Sequence, residues 1–221
     1  MGRRMLNRIK KQTTIIFDFD STLAESLPQV KKIFIEIAKE LNFNQFSENA
    51  MEKIIRKEVK ETLKELKISI FKLPKIERLF RKKMKMVIKE IKPFPNIKEM
   101  LSGLKKEGYS LGILSSNSQE NVSWFLKKYK FDSYFDFIDG GSGFFGKARK
   151  IKKLLNKNKF KRDQVVYIGD ETRDIIAAQK NKIRIASVTW GINPREVLAK
   201  YKPDWLADKP EELFKILSQL D

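Results

Sequence analysis

Short apolar runs alternate along this chain with longer segments in which apolar residues recur every three or four positions. The first run, residues 13–19, is mainly apolar, as expected of a strand buried on both faces. Two acids, Asp18 and Asp20, stand at its carboxyl end. After Leu23 the spacing becomes helical, and Pro93-Phe94-Pro95 ends that segment. Amphipathic helices are predicted between these points, on residues 30–41, 54–66 and 79–91.

From residue 96 onward, helices alternate with short apolar strands, which predicts an α/β fold with a parallel sheet and helices on its faces. Residues 25–92 then form an inserted α-helical cap, and residues 1–24 and 93–221 form the core. The predicted strands after the cap are residues 110–114, 135–138, 164–168, 183–188 and 204–206. The predicted helices after the cap are residues 97–106, 120–129, 147–155, 174–180, 195–201 and 210–220.

Two acids, Asp18 and Asp20, stand where the first buried strand meets its turn. Asp is depleted in strands, and an unpaired buried carboxylate is costly, so these positions call for a cation, a metal or a catalytic task. A strand that ends in an Asx-turn is the alternative explanation for an isolated acidic pair.

Polar residues also follow the other predicted strands. Ser115, Ser116 and Asn117 come after the second strand, and Lys147 opens the helix that follows the third. The fourth strand ends in the segment 169–174, which contains three acids. Ligands of open parallel sheets bind beyond the carboxyl ends of the strands, so the sequence predicts a site at this edge.

Composition restricts the chemistry of such a site. The 221 residues include no His and no Cys, which excludes a Ser/His/Asp triad, a Cys nucleophile, a His base and every imidazole or thiolate metal site. Oxygen ligands favour hard ions such as Mg2+. The formal net charge of +19 could attract a polyanion, but the Lys and Arg residues are spread along the chain.

The polar segments, in this order, resemble the four motifs of the haloacid dehalogenase superfamily of phosphatases, and the helical insertion resembles its cap class one. The resemblance covers nearly the whole chain and implies a Rossmann-like core. It is closest in kind to the phosphoglycolate phosphatase-like members. The matching residues are Asp18, Asp20 and Thr22 in motif one, Ser115 in motif two, Lys147 in motif three, and Asp170 with Asp174 in motif four. Ser21 replaces the Gly that is common in motif one.

The resemblance implies a role for each of these residues. Asp18 is the expected nucleophile, which forms an aspartyl-phosphate, and Asp20 is the expected general acid and base. Mg2+ is expected on Asp18, Asp170 and the backbone carbonyl of Asp20. Asp174 would orient the water shell of the metal or pair with Lys147, provided that a helix starting near Asp170 places both acids on one face.

Phosphate oxygens are expected to meet the Ser115 hydroxyl, the Lys147 ammonium and backbone N–H groups at Phe19, Ser116 or Asn117. Thr22 is a supporting residue. Glu171 is either a contact of metal-bound water or an exposed acid.

The expected function is hydrolysis of a small phosphomonoester with Mg2+, and the partner is a small phosphorylated metabolite. A sugar-phosphate mutase of the same fold is the nearest alternative, and a basic nucleic-acid-binding protein is the alternative from another class. The sequence contains no export signal pattern and no apolar stretch of the ~20 residues that span a bilayer, so we expect a cytoplasmic protein without a membrane partner. Both a monomer and a homodimer are compatible with the sequence.

Overall fold

The computed structural model describes residues 13–43, 68–141 and 146–220. The predicted helix on residues 54–66 and residues 1–12 lie outside these ranges. Within the described ranges, no helix combines the length and the apolar character needed to cross a membrane.

A six-stranded sheet forms the centre of the molecule, and all of its neighbouring strands are parallel. The strand order is β3-β2-β1-β4-β5-β6. Strands β2 and β3 therefore lie on one side of β1, and β4, β5 and β6 lie on the other. This confirms the predicted α/β fold. The strands are β1 (Thr14–Phe17), β2 (Ser110–Leu114), β3 (Phe137–Asp139), β4 (Val165–Gly169), β5 (Arg184–Val188) and β6 (Trp205–Ala207).

Helices cover both faces of the sheet. In the described residues we number them α1 (Leu27–Glu40), α2 (Leu73–Val87), α3 (Ile97–Lys106), α4 (Gln119–Tyr129), α5 (Lys147–Asn158), α6 (Thr172–Lys180), α7 (Arg195–Lys200) and α8 (Pro210–Ser218). Single 3-10 turns occupy Ile70–Lys72, Ile88–Glu90, Asp132–Tyr134 and Arg162–Gln164.

The strands read as continuous apolar runs because both faces of the sheet are buried. Along β1, Ile15 and Phe17 pack into the core on one face, whereas Ile16 packs into the core on the other. The same alternation holds in β4, where Ile168 and Tyr167 point to opposite cores. Interior strand positions therefore favour apolar side chains on both faces, and in β1 the first acid, Asp18, directly follows the strand.

Helices α1 and α2 pack against each other. Their contact includes the rings of Phe34 and Phe80, whose centroids are 5.0 Å apart, and the fully buried Met84. On the outer side of this contact, Lys83 Nζ donates to Glu36 at 2.9 Å. The apolar periodicity that predicted amphipathic helices on residues 30–41 and 79–91 therefore reflects a buried interface, although α2 begins earlier than predicted, with Pro74 in its first turn.

Asp136 connects the start of β2 to the approach to β3. Its carboxylate accepts hydrogen bonds from Lys105 Nζ at 3.0 Å, Ser110 Oγ at 2.8 Å and Leu111 N–H at 3.0 Å. The backbone N–H of Asp136 also donates to Leu111 O at 2.8 Å. Burial by itself would raise the pKa of Asp136, but these hydrogen bonds outweigh it and lower the pKa below its ordinary value.

We expect Asp136→Ala to lower the free energy of unfolding by about 1–2 kcal/mol at pH 7, because it removes hydrogen bonds to a charged acceptor that is partly open to solvent. A group whose pKa falls on folding stabilises the protein above its unfolded value and loses that contribution as pH falls through the folded value. The difference between the two proteins in urea melts should therefore shrink toward zero in acid. Asp132→Ala, at an exposed neighbouring acid, is the control. It should leave the urea melt unchanged both at pH 7 and in acid.

Candidate active site

The expected site residues come together at the carboxyl edge of the sheet, around β1. Asp18 follows β1 directly, and its N–H donates to Ile168 O of β4 at 2.8 Å. Ser115 follows β2, and its N–H donates to Asp139 O of β3 at 2.9 Å. Because β1 lies between β2 and β4, this edge is the point where the strand order reverses, and ligands of open parallel sheets bind there.

Lys147 links two carboxylates at the centre of the site. Its Nζ donates to Asp18 Oδ2 and to Asp174 Oδ1, and all three side chains are almost fully buried. Burial alone would lower the pKa of Lys147, but the charges of Asp174 and Asp18 raise it well above its ordinary value. Burial raises the pKa of Asp174 to about 6, although the ammonium of Lys147 opposes this shift. The prediction that Asp174 pairs with Lys147 agrees with this geometry.

The site contains a compact group of buried oxygens that fits a divalent cation. Asp18, Asp170 and Asp174 each offer one carboxylate oxygen, and these atoms all lie within 4.8 Å of one another. Burial, together with the neighbouring carboxylates, raises the pKa of Asp170 well above its ordinary value, so the cluster is short of positive charge. A set of oxygen donors with excess negative charge suits a hard cation.

Asp170 is held from two sides. Thr22 Oγ1 donates to its Oδ1 at 2.7 Å, and the N–H of Ile192 donates to its Oδ2 at 2.8 Å. A Cβ on Gly191 would collide with the Asp170 side chain, so this position requires glycine. The segment after β5 therefore packs closely against the carboxylate, and the predicted supporting role of Thr22 corresponds to a direct hydrogen bond.

Helix α6 begins at Thr172, two residues earlier than predicted, so Asp170 lies before the helix. The two acids therefore do not share a helix face, and the structure does not meet that condition of the sequence prediction. They converge because Asp174, in the first turn, turns back toward the sheet, where its Oδ2 accepts the N–H of Glu171 at 3.1 Å. The carboxylate of Glu171 pairs with Arg173.

Asp20 lies on the open side of the site and is only partly buried by surface area. Asn117 Nδ2 lies 3.2 Å from each of its carboxylate oxygens. Burial, followed by the charge of Asp18, raises the pKa of Asp20 to about 7, against the opposing hydrogen bonds of Ser26 and Asn117. The surroundings of Asp20 therefore favour its protonated form more than water does.

Some of the expected phosphate donors already have partners inside the protein. The N–H of Phe19 donates to Asp18 Oδ1 at 2.8 Å, and the N–H of Asn117 donates to Ser115 Oγ at 2.9 Å. Ser115 is fully buried, whereas Ser116 is partly exposed at the same edge.

Ser21 adopts a left-handed backbone conformation, with φ of 59°. This conformation is costly for residues other than Gly, which explains why Gly is common at this position of the resembling motif. The turn is held by the N–H of Ser21, which donates to Ala24 O at 2.8 Å. It is this turn that brings Thr22 to Asp170.

Sequence reasoning missed several residues that shape the site. Asn121 is 4% exposed and contacts Asn117, and Asn193 Oδ1 accepts the N–H of Thr172 at 2.9 Å at the start of α6. Arg173 is the partner of Glu171. The available signal for Arg173 was its place among the acids of the segment 169–174. Asn121 and Asn193 carried no comparable signal, because polar residues in an amphipathic helix and in a loop are ordinary.

Comparison with known proteins gives consistent results. Residues 15–188 match the family described as haloacid dehalogenase-like hydrolase. A phosphoglycolate phosphatase of Synechococcus elongatus is 30% identical, over 93% of this chain and 97% of the relative. The pyrophosphatase PpaX of Bacillus mycoides is 26% identical, over 96% of this chain and 99% of the relative.

Solved structures resemble this one in fold. A haloacid dehalogenase-like hydrolase of Streptococcus pneumoniae superposes with a TM-score of 0.78 at 25% identity, over 93% of this chain and 98% of the other. A hydrolase of Pseudomonas syringae gives a TM-score of 0.78 at 22% identity, over 95% and 99%.

Proposed function

The chain belongs to the haloacid dehalogenase-like hydrolase family, and from that premise we propose that it is a Mg2+-dependent phosphatase that hydrolyses a small phosphomonoester through an aspartyl-phosphate. The observation that carries the proposal is the contact of Lys147 with Asp18 and Asp174, beside the Asp170 carboxylate and within the group of oxygens that fits a cation. This arrangement supplies a nucleophile, positive charge and a cation site at one edge of the sheet.

Asp18 is the proposed nucleophile. Its carboxylate oxygen attacks phosphorus, a new oxygen–phosphorus bond forms, and the bond from phosphorus to the leaving oxygen breaks. The buried ammonium of Lys147 offsets the charge of Asp18 and of the incoming phosphate, which would otherwise repel each other. Lys147 lies between Asp18 and Asp174, so the second acid fixes the position of the ammonium.

Asp20 is the proposed acid and base. In the first step its carboxyl group gives a proton to the leaving alkoxide, and in the second its carboxylate takes a proton from the water that attacks the acyl phosphate. Inorganic phosphate leaves, and the Asp18 carboxylate is restored. The pKa of about 7 for Asp20 suits a group that must hold a proton in one step and release it in the next.

The proposed Mg2+ ligands are Asp18, Asp170 and the backbone carbonyl of Asp20. When bound to these groups, the ion would supply positive charge that offsets the charge of the phosphoryl group. Asp170 is suited to this role because Thr22 and Ile192 fix both of its oxygens from behind, so it is already oriented before a cation binds.

We also propose that residues 25–92 are an inserted cap that closes over this edge. Helices α1 and α2 belong to that segment, and Arg81 in α2 reaches Gly141 O, in the loop after β3, at 3.4 Å. A cap in this place would exclude water from the acyl phosphate and contact the part of the substrate beyond the phosphate.

Removal of divalent metal is expected to abolish turnover. Lys147 alone would then offset the negative charges of Asp18 and the phosphate, which repel each other. We expect at least a ~100-fold loss after EDTA treatment and full recovery with excess Mg2+. The measurement is release of inorganic phosphate from para-nitrophenyl phosphate. Activity that survives chelation and dialysis would contradict the metal assignment, and a melting temperature measured before and after chelation separates loss of metal from loss of fold.

The function itself is tested by a screen of phosphorylated metabolites with purified protein and Mg2+. Phosphoglycolate and pyrophosphate come first, because relatives that match over nearly the whole chain are named for them. Release of phosphate from one or more compounds is the expected result. A protein that binds Mg2+, is folded and hydrolyses no phosphate ester, para-nitrophenyl phosphate included, would overturn the proposal.

A further inference from the structure

Two buried asparagines lie behind the Asp20 carboxyl group. Asn117 follows β2, and Asn121 lies in the first turn of α4; each is 4% exposed. Burial of an amide side chain is costly unless its donor and acceptor both find partners. The hydrogen-bond partners of these two side chains therefore show how each amide group is oriented.

The orientation of the Asn117 amide is fixed by a backbone group. Its Oδ1 accepts the N–H of Ser118 at 2.9 Å, and a backbone N–H can only donate. Asn121 Nδ2 donates to the same oxygen at 2.9 Å. With two donors on its oxygen, the amide of Asn117 must turn its Nδ2 the other way.

Asn117 Nδ2 faces Asp20. It lies 3.2 Å from Oδ1 and 3.2 Å from Oδ2, so the donor straddles the carboxyl group. A donor in this position restrains rotation of the carboxyl group about its Cβ–Cγ bond and leaves either oxygen able to carry the proton. Asp20 is partly exposed, and besides Asn117 only a hydrogen bond with Ser26 is described for its carboxyl group, so Asn117 contributes much of the restraint.

We propose that Asn117 is a positioning residue for the general acid Asp20, and that Asn121 acts through Asn117 by holding its amide oxygen. This inference rests on the proposed function, since it concerns the proton that Asp20 delivers. Proton transfer in the transition state requires the acid within hydrogen-bond reach of the leaving oxygen. Loss of the restraint should therefore slow substrates whose leaving group needs a proton and spare those whose leaving group does not.

The test compares two substrates of similar shape, benzyl phosphate and para-nitrophenyl phosphate. The leaving group of the first is an alkoxide that needs a proton, and that of the second is a stable phenolate that does not. We expect Asn117→Ala to lower kcat for benzyl phosphate by about 10-fold to 100-fold, in line with a hydrogen bond to a charged group. For para-nitrophenyl phosphate the first turnover should change by less than about 3-fold, and KM should change little for both compounds.

Asn121→Leu tests the second part of the proposal and keeps the experiment decisive if Asn117→Ala does not fold. It removes the donor to Asn117 and keeps a side chain of similar size in the buried position. We expect a smaller loss, about 3-fold to 10-fold, again confined to benzyl phosphate. The kcat of the double variant, with Asn117→Ala and Asn121→Leu, should be within about 2-fold of the kcat of Asn117→Ala alone. Asn121 acts only through Asn117, so its loss has little further effect once Asn117 is gone.

Asn181→Ala is the matched control. Asn181 is also buried, and its Nδ2 donates to Ala148 O and Ala177 O at 2.8 Å each, so it joins the start of α5 to the end of α6 and does not serve Asp20. This variant should lose stability but keep the ratio of the two rates. Equal losses for both substrates in the folded Asn117 and Asn121 variants, or additive losses in the double variant, would overturn the proposal.

The proposed function fails in a different way. If the wild-type protein hydrolyses neither compound, or if Asp20→Asn slows both first turnovers equally, the assignment of Asp20 as general acid is wrong. If Asp20→Asn is selective for benzyl phosphate and the folded asparagine variants are not, only the positioning role is wrong.

Discussion

Asp18→Asn is expected to abolish Mg2+-dependent phosphate release, with a fall in kcat of at least about 10⁴-fold, as for other enzymes that lose their nucleophile. The carboxamide has almost the same shape as the carboxylate but cannot form the acyl phosphate. Fold should be retained, because Lys147 still pairs with Asp174 and the site loses one of its crowded negative charges. The measurement is single-turnover phosphate release, with a thermal melt of the same sample.

Asp204→Asn is a suitable control for this substitution. It makes the same exchange of carboxylate for carboxamide outside the site, where Asp204 Oδ2 accepts the N–H of Ile185 at 2.8 Å. This variant should keep full activity. Substantial turnover by Asp18→Asn would refute the nucleophile assignment.

Asp20→Asn is expected to reduce kcat for benzyl phosphate by about 10²-fold to 10⁴-fold, the range that general acid catalysis contributes. The first turnover of para-nitrophenyl phosphate should be nearly unchanged, since its leaving group needs no proton. Hydrolysis of the acyl phosphate also needs Asp20, so this substrate should show a rapid burst of nitrophenolate, equal in amount to the enzyme, and then a slow steady state.

The carboxamide that Asp20→Asn introduces can still accept from Asn117 through its oxygen, so the local structure should persist in this variant. The burst separates the two roles of Asp20. A burst with a fast steady state would show that another group activates the water. Equal slowing of the two first turnovers would show that Asp20 is not the acid.

Much of the site was predictable because a parallel sheet fixes where its strand ends meet. The buried apolar runs located β1, β2 and β4, and the polar residues that follow them, including Asp18, Ser115 and Asp170, had to share one edge. The last turn of α5 shows the limit of this reasoning. The helix ends at Asn158, whereas the prediction ended it at residue 155. The prediction was too short because the last residues of the helix are exposed and show no apolar pattern.

Other differences arise from contacts between residues far apart in the chain. Helix α6 starts at Thr172 because Asn193, in the loop after β5, accepts its N–H. Strand β3 starts at Phe137, later than predicted, because the side chain of Asp136 accepts the N–H of Leu111. The asparagine pair behind Asp20 is a third case, since only the fold shows that Asn121 points inward. Local sequence carries no trace of such partners.

The central place of β1 has a consequence for biosynthesis. The strand that leads into Asp18 is synthesised before its neighbour β4, and the hydrogen bond from Thr22 to Asp170 joins residues 148 positions apart. Contacts of such high sequence separation form late, so one edge of β1 stays unpaired in a nascent chain until β4 has been made. The proposed activity therefore requires that synthesis has passed residue 170 and that β1 has paired with β4.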